Sequence, residues 1–192
     1  MRIGRYDEAI ALYTKLLESD SKNTTFLENI GKMYYSLGRH EDAIVWYDKV
    51  ISINPKLPSV WFEKGYTLRK IHRYEDAIKC FDQALTIDPD YLFALANKGY
   101  ALNELGKFRD AIACFDTFLK TSPNNLRVMT AKGISLRELG DNTKALAYFD
   151  KVIALNPLNF FVRNHRDVTL RNLGLLKEAD ESGNMGNITH GN

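Results

Sequence analysis

A single step of 34 residues governs this sequence. Glycines stand at Gly31, Gly65, Gly99 and Gly133, and prolines at Pro55, Pro89, Pro123 and Pro157. Alanines keep the same step at Ala9, Ala43, Ala77, Ala111, Ala145 and Ala179, and an aromatic follows each of the first five by four residues: Tyr13, Tyr47, Phe81, Phe115 and Phe149. Four ladders in one register define a repeat. A unit this short cannot bury all its apolar surface alone, so the units must stack and share a continuous core.

The apolar spacing says what each unit is. Leu95, Leu102 and Leu105 recur at helical intervals before one turn; Phe108, Ala111, Ile112, Phe115, Phe118 and Leu119 recur at i, i+3, i+4 and i+7 after it. That is the pattern of two amphipathic helices. Gly106 lies between them, and Gly4, Gly38, Gly140 and Gly174 hold the matching positions, where a left-handed residue ends a helix cheaply. His72 is the exception. The proline ladder then stops the second helix. Each unit is therefore a helix hairpin. A glycine within a helix costs about 1 kcal/mol against alanine, so its recurrence needs a packing reason. Gly99 and Ala111 are expected to let two backbones approach, with Phe115 filling the space toward the next hairpin.

With those residues in hand, the sequence resembles the tetratricopeptide repeat family. Residues 58–91 carry the resemblance best, through Trp61, Gly65, Tyr74, Ala77, Phe81, Ala84 and Pro89. It implies an all-α, right-handed superhelical solenoid of antiparallel helix hairpins. The expected organisation is a half repeat over 1–23, full repeats over 24–57, 58–91, 92–125 and 126–159, and a capping helix over 160–181. Residues 182–192 are expected to form a mobile tail. Asp167 takes the close-packing glycine position, and Arg163 and Arg166 give the last helix a polar outer face. The half repeat is read as a helix of about Tyr6 to Ser19, whose Ala9/Tyr13 face lacks part of its natural cover.

Composition narrows the function. There are 26 basic and 24 acidic side chains, a net charge of +2, which gives no reason to expect nucleic acid or an anionic membrane as the partner. No apolar run approaches the roughly 20 residues that span a bilayer, and the N-terminal MRIGRYDEAI lacks a signal-peptide core. A soluble, cytoplasmic protein is expected. Cys80 and Cys114, one repeat apart, read as free, partly buried thiols. Asp48, Asp82, Asp116 and Asp150 form a row that reads as a solvated outer face. His40, His72, His165 and His190 show neither metal spacing nor a repeated partner. With no phosphate loop, CxxC pair or GxSxG elbow, the chain reads as a non-enzyme without cofactor or metal.

In the family the first helix of each hairpin lines a concave groove. The positions that this resemblance assigns to the groove include Asn29, Lys32, Tyr35, Phe62, Tyr66, Arg69, Asn97, Tyr100, Asn103, Arg137 and Arg171. Aromatics mixed with arginines are the residue types enriched at binding hot spots. The lysine–asparagine clamp for a peptide's terminal carboxylate is absent, since its positions read Glu28/Lys32, Phe62/Tyr66, Ala96/Tyr100 and Thr130/Ile134. The resulting expectation is a non-catalytic scaffold or adaptor that binds an extended, acidic or aromatic peptide or protein segment. The alternatives are a module that self-assembles into a homo-oligomer through its N-terminal helix, and a regulatory domain of a larger protein.

Overall fold

The structure, a computed structural model, describes residues 2–175. Residues 176–181 of the expected capping helix and the expected tail lie outside the described residues. Among the described residues ten helices run in chain order: α1 (Arg2–Ser19), α2 (Thr24–Ser36), α3 (His40–Ile53), α4 (Pro58–Lys70), α5 (Tyr74–Ile87), α6 (Leu92–Glu104), α7 (Phe108–Thr121), α8 (Leu126–Glu138), α9 (Asn142–Leu155) and α10 (Phe160–Asn172). None of the described helices is long and apolar enough to cross a membrane. The chain divides into two compact units, Met1–Ala101 and Leu102–Asn192.

Local chemistry sets the helix ends. The Oδ1 of Asn23, Asn125 and Asn159 accepts from the main-chain N–H of Phe26, Val128 and Val162, satisfying an orphan amide at the start of α2, α8 and α10. Helix α4 uses Pro58 instead, whose missing N–H costs nothing in a first turn. At the hairpin turns Gly38, Gly106, Gly140 and Gly174 have φ of 69–82°, and His72 adopts the same conformation at 61°. The same backbone bond closes each turn, as in Arg73 N to Leu68 O at 3.0 Å and Lys107 N to Leu102 O at 2.9 Å. Gly4 departs from the expectation: it lies within α1, not at a turn.

In the first unit α1 packs on α2, α2 on α3, α3 on α4 and α4 on α5. Its core is two clusters, one around Tyr47 with Leu27, Val50 and Val60, the other around Phe81 with Leu68, Ala77, Ala94 and Ala101. In the second unit α7 packs on α8, α8 on α9 and α9 on α10, around Phe149 with Met129, Val152 and Val162. The helical glycines serve these rings. A Cβ placed on Gly31, Gly65 or Gly133 would stand 2.6–2.8 Å from Tyr47, Phe81 or Phe149, the aromatic of the same hairpin's second helix. At these three positions the glycine makes room for a ring rather than for another backbone, which corrects the reason given for its recurrence.

The aspartate row also differs from its reading as a solvated face. Each member is half exposed but ion-paired to a cation 16 residues later, on the first helix of the next hairpin. Lys64 meets Asp48, Lys98 meets Asp82 and Arg166 meets Asp150 at 2.5–2.6 Å, and Lys132 meets Asp116. Arg163 Nε donates to Pro157 O at 2.9 Å, as Trp61 Nε1 does to Pro55 O in the matching position. Helix α1 keeps the expected shortfall of cover. Tyr13 packs on Phe26 and Leu17 joins the Tyr47 cluster, but Ala9 and Tyr13 are only half-buried where Ala43 and Tyr47 are fully buried, and Leu12 (58%) and Leu16 are exposed.

Candidate functional site

In the first unit the expected groove residues of α2, α4 and α6 meet one another. The rings of Tyr35 and Tyr66 lie 5.7 Å apart, and Phe62, one turn before Tyr66, contacts Tyr66 at 5.8 Å and Phe93 at 6.2 Å. Phe62 also reaches Phe81 and Tyr91, so it is partly core, while Phe93 is 69% exposed. Three residues beyond Tyr66, the Arg69 guanidinium lies 5.3 Å from the Tyr66 ring and 5.9 Å from the Tyr100 ring. The Lys70 ammonium lies 5.6 Å from Tyr66. Both cations stand in the last turn of α4, where they complement the helix dipole. Among the described residues neither forms an ion pair, and the buried Nε of Arg69 finds no acceptor.

The acidic residues of this face sit apart from that pair. Burial pushes the Glu63 carboxyl above the ordinary carboxylate range; Lys32 opposes the rise and Glu28 adds to it. Lys32 is held by Glu28 at 2.6 Å. The Tyr35 phenol is pushed up to about 12, by burial first and then by its contact with Tyr66. The two asparagines are engaged internally: Asn29 donates to the Tyr13 hydroxyl at 3.3 Å, and Asn97, almost fully buried, donates to Phe93 O at 2.8 Å.

In the second unit the corresponding residues bond to one another. Asn103 Nδ2 donates to Ala131 O at 3.4 Å and its Oδ1 accepts from Ser135 Oγ at 2.7 Å. Arg137, whose side chain is only 13% exposed, donates to Glu138 at 2.8 Å and to His165 Nδ1 at 2.8 Å. Because guanidinium has no acceptor, His165 must present an unprotonated Nδ1. Its ring stacks on Phe149 and meets Phe161 edge-on at 4.5 Å. Burial, then the Arg137 charge, hold its pKa below the ordinary histidine value, with Glu138 opposing. Arg171 is exposed in the last turn of α10. His72 also has a partner of its own, its Nδ1 lying 2.6 Å from the Tyr74 hydroxyl, and it differs from that of His165. The separation of 28 residues that joins Asn103 to Ala131 also joins Arg137 to His165, and that shared step is the sequence signal for both contacts.

A separate cleft of about 550 Å³ opens in the first unit, lined by Ile44, Trp61, Leu68, Cys80 and the charged groups Asp48, Lys64, Arg73, Asp76 and Lys79. The charges satisfy each other, Lys64 with Asp48 and both Arg73 and Lys79 with Asp76. Burial pushes the Cys80 thiol up to about 11, which keeps it protonated and unreactive at neutral pH. Cys80 and Cys114 are both buried, and neither is in a disulfide among the described residues. No group of three metal-ligating side chains gathers among the described residues.

Family models match along most of the chain. A TPR repeat model matches residues 31–72, and tetratricopeptide repeat models match 1–25, 58–91 and 96–160. The chain belongs to the tetratricopeptide repeat family. Solved TPR structures share its fold. MamA 41-end from Desulfovibrio magneticus RS-1 superposes with a TM-score of 0.82 at 18% identity, over 84% of this chain and 92% of that one. YrrB, described as a TPR protein with an unusual peptide-binding site, does so at 0.78 and 19% identity, over 88% of each chain. A crystal structure of MamA gives 0.74 at 24% identity, over 79% of this chain and 82% of that one. At these identities the likeness is one of fold: an all-α TPR solenoid of helix hairpins. No curated protein matches the sequence significantly.

Proposed function

We propose that this TPR protein is a non-catalytic interaction scaffold that holds an extended peptide against its first helices. The TPR solenoid is the fold of protein-interaction modules, and YrrB, which shares it, has a peptide-binding site. The observation that carries the reading is the ring bed of Tyr35, Phe62, Tyr66 and Tyr100 with Arg69 laid across it. Aromatic rings supply contact area at low entropic cost and arginine supplies directional donors. Asn29, Lys32 and Asn97 are assigned to the peptide on the same reading, with Asn103, Arg137 and Arg171 repeating the Arg69 position in the second unit.

The test is a peptide-library selection run in parallel on the native chain and on a Tyr66→Ala/Tyr100→Ala variant of native helical content. Peptides enriched by the native chain alone are expected. Enrichment of nothing, or of the same peptides by both, overturns the reading.

A second reading, self-assembly through α1, draws on the exposure of Leu12 and Leu16. It requires a mass that rises with concentration in sedimentation and returns to monomer in Leu12→Glu/Leu16→Glu. A constant monomer mass removes it.

A further inference from the structure

We infer that the peptide's anchor is an internal acidic side chain, taken by Arg69 and Lys70 over the rings of Tyr66 and Tyr100. This rests on the peptide-binding reading above and adds the chemistry that would select the ligand. The first observation is a charge imbalance on the helices that carry the ring bed, α2, α4 and α6. On them Lys32, Lys64 and Lys98 each meet a carboxylate. Arg69 and Lys70 are neighbours, both positive, and neither is in an ion pair among the described residues.

The second observation is the state of the Arg69 guanidinium. It rests against two aromatic rings, and its Nε–H is buried without an acceptor. Guanidinium is a planar fork of donors that matches a carboxylate, and a charge-assisted bond formed beside aromatic faces is stronger than one in open water. A carboxylate arriving from outside would give this guanidinium the ion pair it lacks.

Two features favour a side chain over a peptide terminus. Helix α4 carries the cations, while aromatics stand on both neighbouring helices, Tyr35 on α2 and Phe93 on α6. A ligand that continues past the acidic residue in both directions covers both flanks, whereas a chain end leaves one uncovered. The positions where a terminal carboxylate would be clamped hold Phe62 and Tyr66, neither of which brings a cation to it.

The experiment uses the full chain and an array of peptides of about a dozen residues, tethered through their C-termini so that no free terminal carboxylate exists. Bound sequences should share one Asp or Glu, and its replacement by Asn or Gln in the peptide should weaken binding at least about tenfold in fluorescence anisotropy. The Arg69→Gln/Lys70→Gln variant should lose a similar factor. A control with the same loss of charge on α3 and α5, Lys49→Gln/Lys79→Gln, should stay within about twofold. The peptide-side change leaves the protein untouched, so it decides the matter even if the arginine variant folds poorly. Tethered binders without a shared acid, or indifferent to its amidation, overturn the acidic anchor and leave peptide binding standing. Binding only to untethered peptides with an open C-terminus overturns it in favour of terminal recognition. If neither tethered nor free peptides bind, the peptide-binding reading falls with it.

Discussion

At Gly65 one added carbon would stand 2.8 Å from the buried Phe81 ring. Gly65→Leu is therefore expected to cost about 1–3 kcal/mol by overpacking, read as a lower urea midpoint at unchanged slope; an unchanged midpoint would mean that the ring does not fill the gap. His72 is the opposite case, because here a side chain occupies a backbone conformation that suits glycine. Left-handed backbone costs a residue with a Cβ about 1–2 kcal/mol, part of which glycine returns through its unfolded-state freedom. His72→Gly should gain about 0.5–1 kcal/mol, the loss of its exposed Tyr74 hydrogen bond notwithstanding. His165 gives a pH dependence. Its folded pKa lies below its ordinary value of 6.5, so the native state holds fewer protons than the unfolded chain in that window. The stabilisation from neutral His165 is complete above pH 6.5 and is lost as pH falls through the folded pKa. Between pH 7.5 and 5.5 the native chain should lose more stability than His165→Gln, and parallel losses would show that His165 does not titrate in this way.

Among the helices, the contact that recurs most regularly is the pair 16 residues apart. It ties the second helix of one hairpin to the first helix of the next, so it reports register between hairpins rather than the stability of either helix. Each aspartate is half exposed, which limits what a pair contributes to about 0.2–1 kcal/mol. A double-mutant cycle on Lys98→Ala and Asp82→Ala should yield a coupling in that range, shrinking as salt is raised. Zero coupling at low salt would reduce the pair to a geometric coincidence. The sequence reads the helices themselves well, because apolar period, glycine and proline are local signals. It misreads these aspartates for a physical reason: a solvated row and a paired row look identical on their own helix. Only the packing of α3 on α4 brings Lys64 to Asp48. Tyr13 is the converse case: Phe26 and Asn29 on α2 contact it, yet it stays half-buried where Tyr47 is fully buried, as its incomplete repeat leads one to expect.

At the scale of the molecule, stability is spread over neighbour interfaces instead of residing in one centre. Phe149→Ala removes a fully buried ring from the second unit and should cost about 3–5 kcal/mol. Amide exchange should then accelerate most in α8, α9 and α10 and least in α2 and α3, whereas uniform acceleration would mark a single cooperative block. The architecture at this scale is legible in the 34-residue step alone. The binding face is legible by residue type, in Tyr66, Arg69 and Tyr100, but not by occupancy. That Arg137 is bound to His165 while Arg69 is left without a carboxylate depends on side-chain packing, which no ladder of identical residues encodes. The paired charges also bear on how such a chain can grow. Residues 126–159 open with Lys132 and close with Asp150, so a duplicate spliced in directly after them would set its own lysine against the original aspartate and hand its own aspartate to Arg166. The array can thus be lengthened by copying one segment of gene, with every new seam already supplied with both of its charges.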